Sequence, residues 1–529
     1  MKRTQVWIPM LLSVSMIAGM WIGFSLRKNI PETRGFFQVN RRSSVQEVAD
    51  LINREYVDSV NTDSLSEDAI MAMVRQLDPH SIYLPPVDAI EASNDLKGNF
   101  EGIGVEYQII DDTVCISGVL ENGPSDKAGL KVGDKIVKVG DSLVAGNGIT
   151  NDKIKSLLRG ESQSPVSVSL LRDRKMLQVQ ITRGLIPTYS VDASYMIDKK
   201  TGYIHLNKFS QTSYEEFMAA TEKLQKQGMQ QMMLDLRGNG GGILDEAVDI
   251  ADEFLSGDKL VVYTQGLHSP RRNYTCKRPG IFEKGKLVVL IDAFSASASE
   301  VLAGALQDWD RASIVGRRSF GKGLVQEPFE LANGAQLRLT VARYYTPAGR
   351  NIQKSFDHGR DAYNEEVFER IHMGNTDAED SASHTGKAYK TLVKKRTVYG
   401  GGGITPDYYV AMDSSSISDQ LASLLYDQAF NEFIYRYYLQ RKGYFDRFKS
   451  PTELADNFQP GPDTWQALKA VAEKDSIAFD PLSSQDKEKL AQRIKLYMAR
   501  QIWRMQGYYE VNNLSDKIVE KAREVLEQP

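Results

Sequence analysis

Apolar positions change their spacing along the chain, and each change predicts a different kind of structure. From about Val6 to Leu26 they run almost unbroken, behind Lys2 and Arg3 and ahead of Arg27 and Lys28. At 1.5 Å rise per residue, about 20 such residues cross a bilayer. Residues 1–30 therefore read as a signal anchor or signal peptide. No clear small-residue cleavage site follows, which favours an uncleaved anchor, and no Cys follows, which excludes a lipoprotein. The body is expected in the cell envelope, periplasmic or extracytoplasmic, held to the inner membrane by this helix.

Further along, Val45, Val48, Leu51 and Ile52 fall at helical spacing and open an N-terminal helical segment, residues 43–98. Within it, Leu77-Asp78-Pro79-His80-Ser81 reads as a helix stop and turn, because Pro79 disfavours helix at the residue before it. Residues 99–183 carry short apolar runs separated by Gly123-Pro124, Ala128-Gly129 and Gly133-Asp134, a β-rich module. From Gly202 strands and helices alternate. Met232–Leu236 and Leu287–Ile291 are apolar strands, Leu244–Phe254 and the stretch after Ser295 are helices, and the alternation predicts an α/β core over residues 184–410. Residues 355–400 are polar and charged, and read as a partly disordered surface insertion. Residues 411–529 return to helical spacing, with Phe433, Tyr437 and Tyr438 read as core of a C-terminal helical domain.

Composition narrows the function. The 529 residues are 41% hydrophobic and 25% charged, which excludes wholesale disorder and a multi-span membrane protein. A net charge of −4 leaves no basic excess for phosphate backbones, so nucleic acid is not an expected partner. Two cysteines, Cys115 and Cys276, and six histidines without ligand spacing argue against a structural metal.

Chemistry concentrates in three places. The run Asp235-Leu236-Arg237-Gly238-Asn239-Gly240-Gly241-Gly242 follows a strand, where glycines let backbone N–H groups face an anion or oxyanion. The run Ser295-Ala296-Ser297-Ala298-Ser299-Glu300 follows the next predicted strand, and Phe320-Gly321-Lys322-Gly323 is followed by Gln326. Singly these are a tight turn, a helix cap and a hairpin lysine. Jointly they are the parts of a Ser–Lys acyl-transfer enzyme. A neutral lysine amine takes the serine proton, provided burial lowers its pKa from about 10.4. A glutamine can hold that amine without adding charge.

Two resemblances follow from these residues. Gly102-Ile103-Gly104-Val105 with Gly123-Pro124-Ser125-Asp126-Lys127-Ala128-Gly129-Leu130-Lys131-Val132-Gly133-Asp134 resembles a bacterial PDZ domain, with Ser125 in place of the usual Ala. The resemblance implies that Gly102, Ile103, Gly104 and Val105 hold a peptide C-terminus by β-augmentation. Arg159 is a candidate for the carboxylate or for the neighbouring domain.

Residues from about 44 to 407 resemble the C-terminal processing, or tail-specific, protease family, on the motifs above together with Leu77–Ser81, Gly304–Asp308 and Tyr344–Arg350. The resemblance implies Ser297 as nucleophile and Lys322, 25 residues on, as general base. It implies Gln326 as the residue orienting that base, and Ala298 with Gly242, or Gly241, as oxyanion donors. It implies a crotonase-like core and no cofactor. Expected partners are proteins with exposed apolar C-termini, an activating adaptor or lipoprotein, and further copies of the chain, with PDZ placement gating the active site. The alternative is a catalytically silent PDZ scaffold that binds protein C-termini.

Overall fold

The computed structural model describes residues 7–27, 43–372, 386–412, 419–426, 428–474, 477, 479 and 482–528. The chain divides into two compact units, Met1–Ile70 and Met71–Pro529. In the first, Trp7–Arg27 is a helix, and Ser44–Glu55 is a second, capped by the Ser43 hydroxyl. Part of the expected membrane anchor lies outside the described residues. Among the described residues, no helix is long and apolar enough to cross a membrane.

In the second unit the α/β core is built on a six-stranded sheet. Its spatial order is Val191–Met196, Thr201–Leu206, Gln231–Asp235, Leu287–Ile291, Ser313–Gly316 and Tyr408–Tyr409. The first pair is antiparallel and the rest are parallel. Both faces of such a sheet must be covered, so its strands read as continuous apolar runs, and Gln231–Asp235 and Leu287–Ile291 are buried at every position. Helices Ser213–Lys226, Leu244–Asp252 and Ala298–Asp308 cover one face. The opposite face is covered from the far end of the chain: Ile518, Val519, Ala522, Val525 and Leu526 of helix Lys517–Glu527 pack with Tyr203, Met233, Val288 and Leu290.

A second sheet, with Leu324–Glu330 paired to Gln336–Tyr345, stands beside the first. The β-rich module is a PDZ fold with its own core, including Ile103, Val114, Ile136, Ile154 and Val168, and a helix Asn151–Leu158. Helices Gln428–Gln440, Pro451–Asn457, Pro462–Lys474 and Ser484–Asn512 share another core around Phe430, Phe433, Phe445 and Ile494.

The polar stretch 355–400, read from sequence as a surface insertion, has regular elements among its described residues. It contains a helix, Arg360–His372, and a hairpin of Ala388–Lys390 with Thr397–Tyr399. Two apolar side chains four residues apart, Tyr363 and Val367, are each 2% exposed and anchor the helix, a signal too sparse to outweigh the surrounding charge. Residues 373–385 lie outside the described residues. Cys115 and Cys276 are both free and buried; burial pushes the Cys276 thiol up to about 12.

Candidate active site

Adjacent parallel strands deliver the three chemical segments to one place. Strand Gln231–Asp235 leads into the glycine run, its neighbour Leu287–Ile291 into the serine run, and the next neighbour Ser313–Gly316 into the Gly321-Lys322-Gly323 loop. Carboxyl ends of neighbouring parallel strands are where open α/β sheets gather ligands.

Ser297 is half-buried at the start of the fully buried helix Ala298–Asp308, with φ 56° and ψ −114°. A non-glycine residue there is strained, and strain of this kind persists where the surroundings fix it. The surroundings are explicit. Asn239 O accepts hydrogen bonds from Ala296 N–H at 3.0 Å and from Ser299 Oγ at 2.9 Å. Ser295 Oγ donates to Leu236 O at 2.8 Å. Gly241 lies so close that a Cβ on it would meet the Ser297 Cβ at 2.7 Å, which only glycine tolerates.

Of the glycine donors, Gly241 is already engaged: its N–H donates to Asn239 Oδ1 at 2.9 Å and its carbonyl accepts from Phe209 N–H at 3.0 Å. Gly242 N–H and Ala298 N–H donate to no acceptor among the described residues. The N–H groups of Gly242 and Ala298 are therefore free, as is that of Gly240, which also lines the cavity beside Ser297.

A cavity of about 300 Å³ joins these groups. Gly242, Ser297, Ala298, Lys322, Gln326 and Tyr344 line it, with Val301, Leu324 and Leu244 giving it an apolar side. Burial holds the Lys322 amine below its usual value; Glu300 and Asp78 pull it up and Arg338 pushes it down, without reversing the outcome. No carboxylate lies within ion-pair distance of Lys322 among the described residues. Gln326 faces the cavity, and its Nε2 donates at 3.4 Å to Thr340 Oγ1, which in turn donates to Asp78 Oδ1 at 3.1 Å. That chain leads to the Leu77–Ser81 turn, where Asp78 also takes the Ser81 hydroxyl at 2.5 Å.

The group that sequence reasoning left without a role is Glu300. Its carboxylate is fully buried and accepts four hydrogen bonds: Ser297 N–H at 2.9 Å, Lys322 N–H at 2.8 Å, Gly321 N–H at 2.8 Å and Ser319 Oγ at 2.5 Å. It ties the serine turn to the lysine loop. Burial raises its pKa and the four donors oppose the rise. The spacing Ser-x-x-Glu at a helix start was the available signal. Tyr344, 2% exposed, adds a second tie, its hydroxyl lying within hydrogen-bond distance of the carbonyls of Ser297, at 3.0 Å, and Lys322.

One other sequence candidate, Arg159, is engaged elsewhere. Arg159 is ion-paired with Glu91 at 2.6 Å and lies over the Phe100 ring, so its role is packing against helix Pro86–Lys97. His205 is held by Asp192 at 2.6 Å and by the Tyr509 hydroxyl at 2.9 Å.

Three stretches of the chain match known families. Residues 102–182 match the PDZ domain family and residues 200–359 match peptidase family S41. Residues 421–504 match a family of unknown function. A carboxy-terminal-processing protease of Bartonella bacilliformis is 33% identical over 313 residues, covering 58% of this chain and 71% of that protein. The carboxy-terminal processing protease CtpB of Bacillus subtilis is 33% identical over 320 residues, covering 59% of this chain and 65% of that protein. Among solved structures, a photosystem II D1 C-terminal processing protease is 30% identical, covering 58% of this chain and 89% of that one, with a TM-score of 0.33. These matches define a serine peptidase carrying a PDZ domain. The chain belongs to peptidase family S41, the carboxy-terminal-processing proteases.

Proposed function

We propose that the chain cleaves proteins whose apolar C-terminal tails are captured by the PDZ domain, using Ser297 and Lys322 as a catalytic dyad. The observation that carries this is the shared cavity: a serine on a strained turn and an amine depressed by burial, with no carboxylate in ion-pair distance among the described residues.

Neutral Lys322 takes the Ser297 Oγ proton as that oxygen forms a bond to the scissile carbonyl carbon. The resulting oxyanion is met by the N–H groups of Ala298 and Gly242, and one such donor is worth roughly 10²–10³ in rate. Collapse breaks the C–N bond, and the Lys322 ammonium returns the proton to the leaving amine. Water then enters and gives a proton to Lys322 as its oxygen bonds to the acyl carbon; the Ser297 Oγ–carbon bond breaks, Lys322 returns the proton to Oγ, and the carboxylic acid leaves. Gln326 orients the lysine through the Thr340–Asp78 chain, and the apolar wall of Val301, Leu324 and Leu244 receives an apolar substrate side chain. Gly102 to Val105 receive the tail, at the end of an edge strand. The crotonase-like reading of the core is supported by oxyanion donors presented at neighbouring parallel strand ends. The Lys2-Arg3 pair before the apolar run supports an envelope location for the body.

The test is incubation of the purified protein, beside Ser297→Ala, with an unfolded reporter ending in an apolar tail. Cleavage by the parent and none by Ser297→Ala is expected. Equal cleavage by both would remove the nucleophile. A reporter with an amidated C-terminus is expected to be cleaved more slowly if the tail carboxylate is captured.

A further inference from the structure

Strand Val105–Ile110 is the edge of the PDZ sheet, paired only with Thr113–Val119 among the described residues. Val105, Tyr107 and Ile109 pack toward the PDZ core. Ile110 and Cys115 pack instead with Tyr435 of helix Gln428–Gln440. Side chains alternate along a strand, so Glu106 and Gln108 share the face of Ile110, turned toward the C-terminal helices.

Those helices reach the PDZ backbone with side-chain donors. Gln428 Nε2 donates to Ile109 O at 2.9 Å, and Gln501 Nε2 to Ser117 O at 2.8 Å. Arg504 donates to Val119 O at 2.9 Å and pairs with the Glu106 carboxylate. Arg504 has φ 55°, at the point where the long helix Ser484–Asn512 breaks. A strained residue that grips the neighbouring fold marks a built joint.

Between the joint and the edge strand lies a cavity of about 680 Å³, bordered by Tyr107, Gln108, Gln428, Asn431, Tyr497 and Arg500. The Oε1 atom of Gln108 is buried and has no hydrogen-bond donor. Arg500 has no ion-pair partner among the described residues. A buried acceptor without a donor is costly and calls for one.

We propose that this cavity is the second wall of the tail-binding groove, and that it selects amide side chains, glutamine or asparagine, in the substrate tail. The inference rests on the reading that the PDZ domain takes that tail. A strand added beside Val105–Ile110 sends alternate side chains to opposite faces: one set toward helix Asn151–Leu158, the other into this cavity. An amide there donates to Gln108 and accepts from Arg500. An apolar side chain leaves both unanswered. The Ile109 carbonyl, already taken by Gln428, marks where the added strand stops.

The experiment uses the full chain as Ser297→Ala and fluorescent decapeptides ending in alanine, read by anisotropy. Each of the five residues before the last is set in turn to Gln or Leu. Tighter binding of the Gln peptide, by about tenfold, is expected at alternate positions only. Gln108→Leu is expected to abolish the preference without weakening the Leu peptides, and Gln108→Glu, which keeps an acceptor, to retain it. A preference that survives Gln108→Leu, that falls on consecutive positions, or that never appears would overturn the inference. An amidated decapeptide separates the two readings. Weaker binding on amidation with no effect at Gln108 sinks this inference alone; unchanged binding on amidation sinks tail capture itself.

Discussion

In the proposed dyad the Lys322 amine acts as a base only when neutral, so its lowered pKa sets the working range. The expected pH profile of kcat/KM rises with pH through a midpoint below the ordinary lysine value of 10.5, because burial disfavours the ammonium. A midpoint at or above that value would mean the amine is not desolvated in the working enzyme. Glu300 bears on the same titration. Its negative charge raises the Lys322 pKa, and its two oxygens take four donors from the serine turn and the lysine loop. Glu300→Gln removes the charge and turns an amide N–H₂ toward donors. The acidic limb of the profile is expected to move to lower pH, and kcat to fall by about tenfold or more with KM little changed. A fall in kcat with the limb unmoved would assign Glu300 to folding alone.

At the scale of elements, helix Arg360–His372 and the Leu77–Ser81 turn brace the lysine loop. Arg370 Nη1 donates to the carbonyls of Arg318 and Ser319, both at 3.1 Å. The Tyr363 hydroxyl meets His80 Nε2 at 2.7 Å, and Lys354 is paired with Glu366 at 2.8 Å. His80 is pushed down to about 4, first by burial and then by the cations of Lys322, Arg360 and Lys354, against Asp78. Unfolded, it takes a proton near 6.5. Between those values the unfolded chain binds more protons than the folded one, so stability is lost as pH falls from about 6.5 to about 4. The urea midpoint of the parent is expected to drop over this window more steeply than that of His80→Gln. Parallel curves would mean that His80 charges freely in the fold. None of these contacts was legible beforehand: Tyr363 and Val367 are isolated apolar residues in a charged stretch, and a half-buried histidine has no sequence signature.

At the scale of the molecule, the chain's last helix completes its central sheet. Asp516 caps helix Lys517–Glu527 through Ile518 and Val519 N–H, and also pairs with Arg237 at 2.7 Å. Arg237 in turn holds the buried Asp235 and stands next to the glycine run. Asp516→Ala removes a cap worth about 1 kcal/mol and leaves Arg237 half of its partners. A loss of about 2–4 kcal/mol in unfolding free energy is expected, together with reduced cleavage through a loosened glycine loop. A loss below about 1 kcal/mol would confine Asp516 to capping. Residues 421–504 match a family of unknown function, and these helices hold the PDZ edge and border its cavity.

From the sequence alone came the segments on which the proposed chemistry rests. Ser297, Lys322 and the glycine run were legible because each lies in a short motif whose glycines and small residues admit little else. The PDZ fold was legible from its turn chemistry. Only the tertiary structure decided that Gly241 is spent on Asn239, that Arg159 is spent on Glu91, and that Glu300 joins two loops. Strand order in a parallel sheet is set by packing across the whole chain, and it alone makes neighbours of residues 242, 297 and 322. The same holds for the last helix: amphipathic spacing declares an apolar face, and only the folded chain supplies the surface that covers it.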